Sequence, residues 1–119
     1  MAKKFPVTIY HNPKCTTSCN VLAMIEAAGH APEVVEYLKA GWTKAQLKHL
    51  FASAGLTPRR ALRAKAKEAE ELGLLDGKIS EAKLLDAMVA HPILVERPFV
   101  VTPRGTRLCR PKEIVSEII

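Results

Sequence analysis

The sequence predicts an α/β fold, a mixed β-sheet with helices packed against it. Three observations carry this expectation. The N-terminal part reads strand, helix, strand. Residues 43–92 show helical periodicity and repeated helix-start signals. The C-terminal part reads strand, strand, helix.

Residues 5–10 form an apolar run with the composition of a strand, and Pro13 marks the turn after it. Beyond Cys15, apolar residues fall at Val21, Leu22, Ile25 and Ala28, one face of a helix that Gly29 is placed to end. Pro32 and the run Val34-Val35-Glu36-Tyr37 predict a second strand. Thr43-Lys44-Ala45-Gln46 is a capping-box pattern, with Trp42 and Leu47 spaced as a hydrophobic staple and Leu47, Leu50, Phe51 and Ala54 facing inward. Gly55 closes that helix. Thr57-Pro58 starts a shorter one carrying Arg59, Arg60 and Arg63. Residues 64–72 are charged and helix-prone, a solvated face. Ser80 caps a further helix with Leu84, Leu85 and Met88 inward, and His91-Pro92 ends it. Residues 99–101 and 106–109 read as strands joined by Thr102-Pro103-Arg104-Gly105, and Pro111 opens a closing helix through Ile114, Val115 and Ile118.

At 119 residues the chain has the length of one domain, with residues 43–92 as a helical insertion. No apolar run approaches a membrane span, and no export signal is evident. Three cysteines do not make a secreted disulfide framework, so a reducing cytoplasm is the expected setting. The net charge of +6 is dispersed, only 5% of residues are aromatic, and no nucleic-acid recognition motif is present. A small anion fits that charge better than a nucleic acid. No Cys/His set has metal-ligand spacing.

Cys15 carries the chemistry. It follows a strand and a turn and stands where a helix begins, so unpaired N–H groups and the helix dipole favour its thiolate. Lys14 and His11 add charge or a hydrogen bond nearby. Such surroundings bring a cysteine pKa down from about 8.5 to about 3.5–7.5. The residues alone leave an inert helix-capping cysteine open as the alternative.

Three stretches carry a resemblance. They are Tyr10-His11-Asn12-Pro13-Lys14-Cys15, His91-Pro92-Ile93-Leu94-Val95-Glu96-Arg97-Pro98-Phe99-Val100-Val101-Thr102-Pro103, and Gly105-Thr106-Arg107-Leu108-Cys109-Arg110-Pro111. Together they resemble the glutaredoxin-coupled arsenate reductases over nearly the whole chain. The resemblance implies a thioredoxin/glutaredoxin-like fold, a mixed four-stranded sheet with a helical insertion. It implies reduction of arsenate to arsenite, with Cys15 as nucleophile, glutathione as co-substrate, glutaredoxin as partner and no tightly bound cofactor. A monomer acting in the cytoplasm, without nucleic acid or membrane, is expected.

By the same resemblance His11 helps set the Cys15 pKa, the Ser18 hydroxyl can bond the Cys15 sulfur, and Arg59, Arg97 and Arg107 bind the oxyanion through guanidinium forks. Arg60 lies beside Arg59, and a one-residue shift exchanges them. Arg97 precedes Pro98 and is therefore expected to be extended; Pro98 matches a proline that is cis beside the active site of thioredoxin-like folds. Cys109 reads as a buried structural cysteine. Cys19 departs from the family pattern, standing where these reductases usually carry an arginine. It is either a packing residue or a resolving thiol that cycles through an internal disulfide with Cys15. Two other functions stay open: a glutathione-dependent thiol-disulfide reductase, and a redox-sensing regulator of RNA polymerase on the same fold. Convergence of the arginines on Cys15 discriminates against the first.

Overall fold

The computed structural model describes residues 5–119. It divides into two compact units: the described residues up to Ala40 together with Arg97–Ile119, and the intervening Gly41–Glu96. The second begins two residues before the expected insertion and ends four residues after it.

The first unit holds the sheet. Strand β1 (Thr8–His11) leads through a turn to helix α1 (Thr16–Ala27), and β2 (Glu33–Glu36) then pairs parallel to β1. A single-turn helix α2 (Tyr37–Ala40) follows. After the second unit, β3 (Phe99–Thr102) pairs antiparallel to β1, and β4 (Gly105–Leu108) antiparallel to β3. The sheet order is β2-β1-β3-β4. A mixed four-stranded sheet is what the resemblance implied.

Strand β1 alternates half-buried and buried residues, with Ile9 and His11 on one face. Helix α1 covers that face with Ser18, Val21 and Ile25, spaced i, i+3, i+7. Ile9, Val21 and Ile25 join Val7, Val100, Cys109, Val115 and Ile118 in one core cluster; burying each large aliphatic side chain contributes about 1.5–3 kcal/mol. His11 and Ser18 therefore lie on the inward faces of their own elements, at the C-terminal end of β1 and in the first turn of α1. Gly29 takes φ +92 after α1, and its N–H and that of His30 close on Glu26 O and Ile25 O in a Schellman arrangement.

The second unit is helical. Thr43 and Gln46 form the expected capping box on α3 (Lys44–Ala54), whose buried face is Leu47, Leu50 and Phe51. Thr57 caps α4 (Pro58–Ala61), and Ser80 caps α6 (Glu81–Ala90). Between them lies α5 (Lys67–Glu71), where Ala69 is buried among charged neighbours. Pro92–Leu94 is a 3₁₀ turn, and Leu62 bridges antiparallel to Val95.

Three expectations shift. Strand β2 ends at Glu36, because Tyr37 turns into α2 and buries its ring. Cys109 lies just past β4 rather than within it. The closing segment is a 3₁₀ helix, Lys112–Glu117, not an α-helix. Three residues per turn set Val115 and Ile118 in line, and both are buried in the core cluster.

Candidate active site

Cys15 is the N-cap residue of α1, in extended conformation (φ −97, ψ 119) and half-buried. Its N–H donates to Asn12 O at 3.0 Å, which closes the turn that presents the sulfur. The neutral thiol makes no capping hydrogen bond. Its pKa is nevertheless held below the ordinary value. Burial, the largest influence, pushes it up; the Ser18 backbone N–H and the Arg97 and Arg110 guanidinium groups together outweigh burial and favour the thiolate. Arg110 Nη1 lies 3.7 Å from the sulfur.

Arg97 is 6% exposed, and its Nε and Nη1 have no hydrogen-bond partner among the described residues. A buried guanidinium with unpartnered donors is costly, and an oxyanion accepting from one edge of it lowers that cost. The carbonyl of Arg97 accepts from Arg110 Nη1 at 3.1 Å, so the backbone of one arginine aims the other. The Arg97–Pro98 and Arg110–Pro111 peptide bonds are both cis.

His11 Nδ1 lies 2.6 Å from Ser18 Oγ, which also accepts from the Asn12 N–H at 3.1 Å. In a neutral ring Nδ1 accepts a hydrogen bond from the Ser18 hydroxyl, which satisfies both groups. Burial lowers the His11 pKa and favours the neutral ring, outweighing the Glu36 carboxylate, which pulls the other way. The resemblance has Ser18 bonding the sulfur through its hydroxyl. The hydroxyl is instead committed to His11 and Asn12, and Ser18 acts on the sulfur through its backbone N–H.

Arg107 also departs from expectation. It stands opposite Val100 in the β3–β4 register, so it shares the face that carries the core and the last 3₁₀ helix. There its Nε pairs with Glu117 at 3.8 Å and its Nη1 donates to Thr106 O at 2.9 Å. The guanidinium that joins Arg97 at the sulfur belongs to Arg110, which is not among the three expected arginines. A signal for it is present in the sequence: Arg110 precedes Pro111 as Arg97 precedes Pro98. Arg59 lies in the helical unit, where its guanidinium donates to Ile79 O and Asp76 O and sits 3.9 Å from Glu81. Cys19, on the first turn of α1, is exposed, and its thiol donates to Pro13 O at 3.3 Å. Arg110 also lines a cleft of about 470 Å³ with Thr17, Asn20, Pro111, Lys112 and Glu113.

Both the sequence and the fold are matched among known proteins. The model of the ArsC family matches residues 10–118. Arsenate reductase ArsI2 of Synechocystis sp. is 58% identical over 113 residues, covering 95% of this chain and 81% of that protein. Arsenate reductase of Escherichia coli K12 is 49% identical over the same length, covering 95% and 80%. The solved arsenate reductase from Vibrio cholerae superposes with a TM-score of 0.93 at 42% identity, covering 98% of this chain and 100% of that one. With Cys15, Arg97 and Arg110 all inside the matched stretch, the chain belongs to the ArsC family.

Proposed function

We propose that this chain reduces arsenate to arsenite, with Cys15 as nucleophile and glutathione and glutaredoxin as thiol donors. The observation that carries the reading is the buried Arg97 guanidinium, with unpartnered donors at Nε and Nη1, beside a thiol that the same residue and Arg110 help to ionise. A tetrahedral oxyanion accepts from both guanidinium groups while presenting its central atom to the sulfur. The arsenate reductases at 47–58% identity support arsenic as that atom.

The Cys15 thiolate attacks arsenic and expels hydroxide, which leaves as water after taking a proton. Arg97 and Arg110 hold the charge that gathers on the oxygens during attack. Preorganised electrostatic stabilisation of this kind usually lowers an enzymatic barrier more than any other single effect. Glutathione then adds its thiol and glutaredoxin a second. Arsenic departs as arsenite with two more electrons, and two sulfurs leave as a disulfide. The cleft lined by Thr17, Asn20, Arg110, Pro111, Lys112 and Glu113 borders the arginine that reaches the sulfur. Among the described residues no helix is long and apolar enough to cross a membrane, and a reducing cytoplasm supplies the thiols. Two guanidinium groups at the sulfur favour an oxyanion over a disulfide substrate, which has no use for them.

The test is steady-state arsenate reduction, followed as NADPH oxidation through glutathione reductase, glutathione and glutaredoxin. Arsenate-dependent turnover that vanishes in Cys15→Ser is the expected result. A wild-type protein that reduces small disulfides but not arsenate would sink the reading in favour of the thiol reductase.

A further inference from the structure

We infer that Cys19 is the resolving thiol of the reaction: it attacks the Cys15 sulfur of the arsenic adduct and releases arsenite by forming a Cys15–Cys19 disulfide. The inference rests on the arsenate reading and changes its second step. Glutathione and glutaredoxin then act on a protein disulfide rather than on the arsenic adduct.

The geometry comes from the first turn of α1. Cys15 is the N-cap, and the Cys19 N–H donates to Cys15 O at 3.0 Å, so the two residues are hydrogen-bonded partners across one helical turn. Residues so placed have Cα atoms about 6 Å apart, within the span a disulfide bridges. Helical side chains lean toward the N-terminus, over the preceding turn. Cys19 does so, and its sulfur rests 3.3 Å from Pro13 O in the loop that presents Cys15. The Cys15 sulfur belongs to the N-cap residue at the same end of the helix, where Arg110 Nη1 lies 3.7 Å from it. Cys15 has the extended backbone of an N-cap, so its sulfur is not confined to the helical side-chain direction. Both thiols are free, and Cys19 is exposed, so it swings without disturbing the core.

The step balances. After water has left, Cys15 is bound to As(V). The Cys19 thiol gives its proton to solvent, and the thiolate attacks the Cys15 sulfur. The S–S bond forms as the S–As bond breaks, and the electron pair of that bond stays on arsenic. Arsenic becomes As(III), takes up protons from water and departs as arsenite, while the two cysteines lose two electrons between them. Two glutathione thiols, directly or through glutaredoxin, reduce the disulfide and reset the site.

The experiment is a single turnover. Fully reduced protein, freed of small thiols, is mixed with arsenate; arsenite is counted, free thiols are titrated, and a non-reducing peptide map is made. Wild type is expected to release about one arsenite per chain, lose two thiols and yield a Cys15–Cys19 cross-linked peptide, while Cys19→Ser releases none without added thiol. Arsenite appearing only when glutathione is added to wild type overturns this step and leaves the arsenate reading standing. A cross-link from Cys15 to Cys109 overturns it as well. No arsenite even with glutathione and glutaredoxin overturns both.

Discussion

Cys15 and Cys109 belong to the same compact unit and meet opposite fates. Burial pushes both thiols up. At Cys109, held against the core cluster, it prevails and the pKa rises to about 12, with Arg107 pulling weakly the other way. At Cys15 the Ser18 N–H and two guanidinium groups reverse it. Burial alone makes a cysteine inert, and a reactive one is built by aiming donors at a thiol that is only partly covered.

The largest break in that contrast is Cys15→Ser, expected to abolish arsenate turnover, with Cys109 unable to substitute. Next, Arg97→Ala and Arg110→Ala are each expected to lower kcat by about 10²–10³-fold, roughly 3–4 kcal/mol of barrier, as for loss of a preorganised oxyanion donor. Arg107→Ala is expected to cost less than tenfold, since its guanidinium faces Glu117. Near-normal turnover of Arg110→Ala would return the role to another arginine.

Alkylation by iodoacetamide sharpens the comparison on the thiols themselves. Cys15 is expected to react with a midpoint below the ordinary cysteine pKa, rising in Arg110→Ala, while Cys109 stays unmodified in the folded protein. Cys109→Ala is expected to cost about 1–2 kcal/mol of stability, for a small buried group removed from the core, and to leave turnover unchanged. The smallest effect concerns His11. Its folded pKa lies below 6.5, so as pH falls through 6.5 the unfolded chain binds the proton first. Stability therefore drops between 6.5 and the folded pKa and is not regained below it, and thermal melts of His11→Asn should show a flatter acid limb than wild type.

The order of elements was legible because its signals are local. The Thr43/Gln46 capping box, Thr57-Pro58 and Ser80 each mark a helix start, and each appears in place. Cys15 was legible for the same reason, since a strand, a turn and a helical period fix an N-cap. What stayed hidden depends on where a side chain points once strands have paired. Arg107 and Arg110 stand three apart in one motif, and only the β3–β4 register sends Arg107 to the face of Glu117 while the chain beyond β4 carries Arg110 to the sulfur. The bond that the Ser18 hydroxyl makes was not legible: it meets His11 only because the inward faces of β1 and α1 coincide. The 3₁₀ form of Lys112–Glu117 was hidden too, since apolar residues three apart suit either helix.

Cys15 sits at the N-cap of α1 without supplying the cap that a serine or aspartate there provides. An ionised sulfur supplies it, since a thiolate facing the Ser18 N–H accepts from one of the orphan donors of the first turn and complements the dipole. Caps of this kind are worth about 0.5–2 kcal/mol. In the proposed reaction, bonding the sulfur to arsenic removes its charge and loosens that turn, and freeing the thiolate tightens it again. The first turn of α1 thus behaves as a spring that the reaction slackens and resets, and the amide protons of residues 16–18 should exchange fastest while arsenic is held.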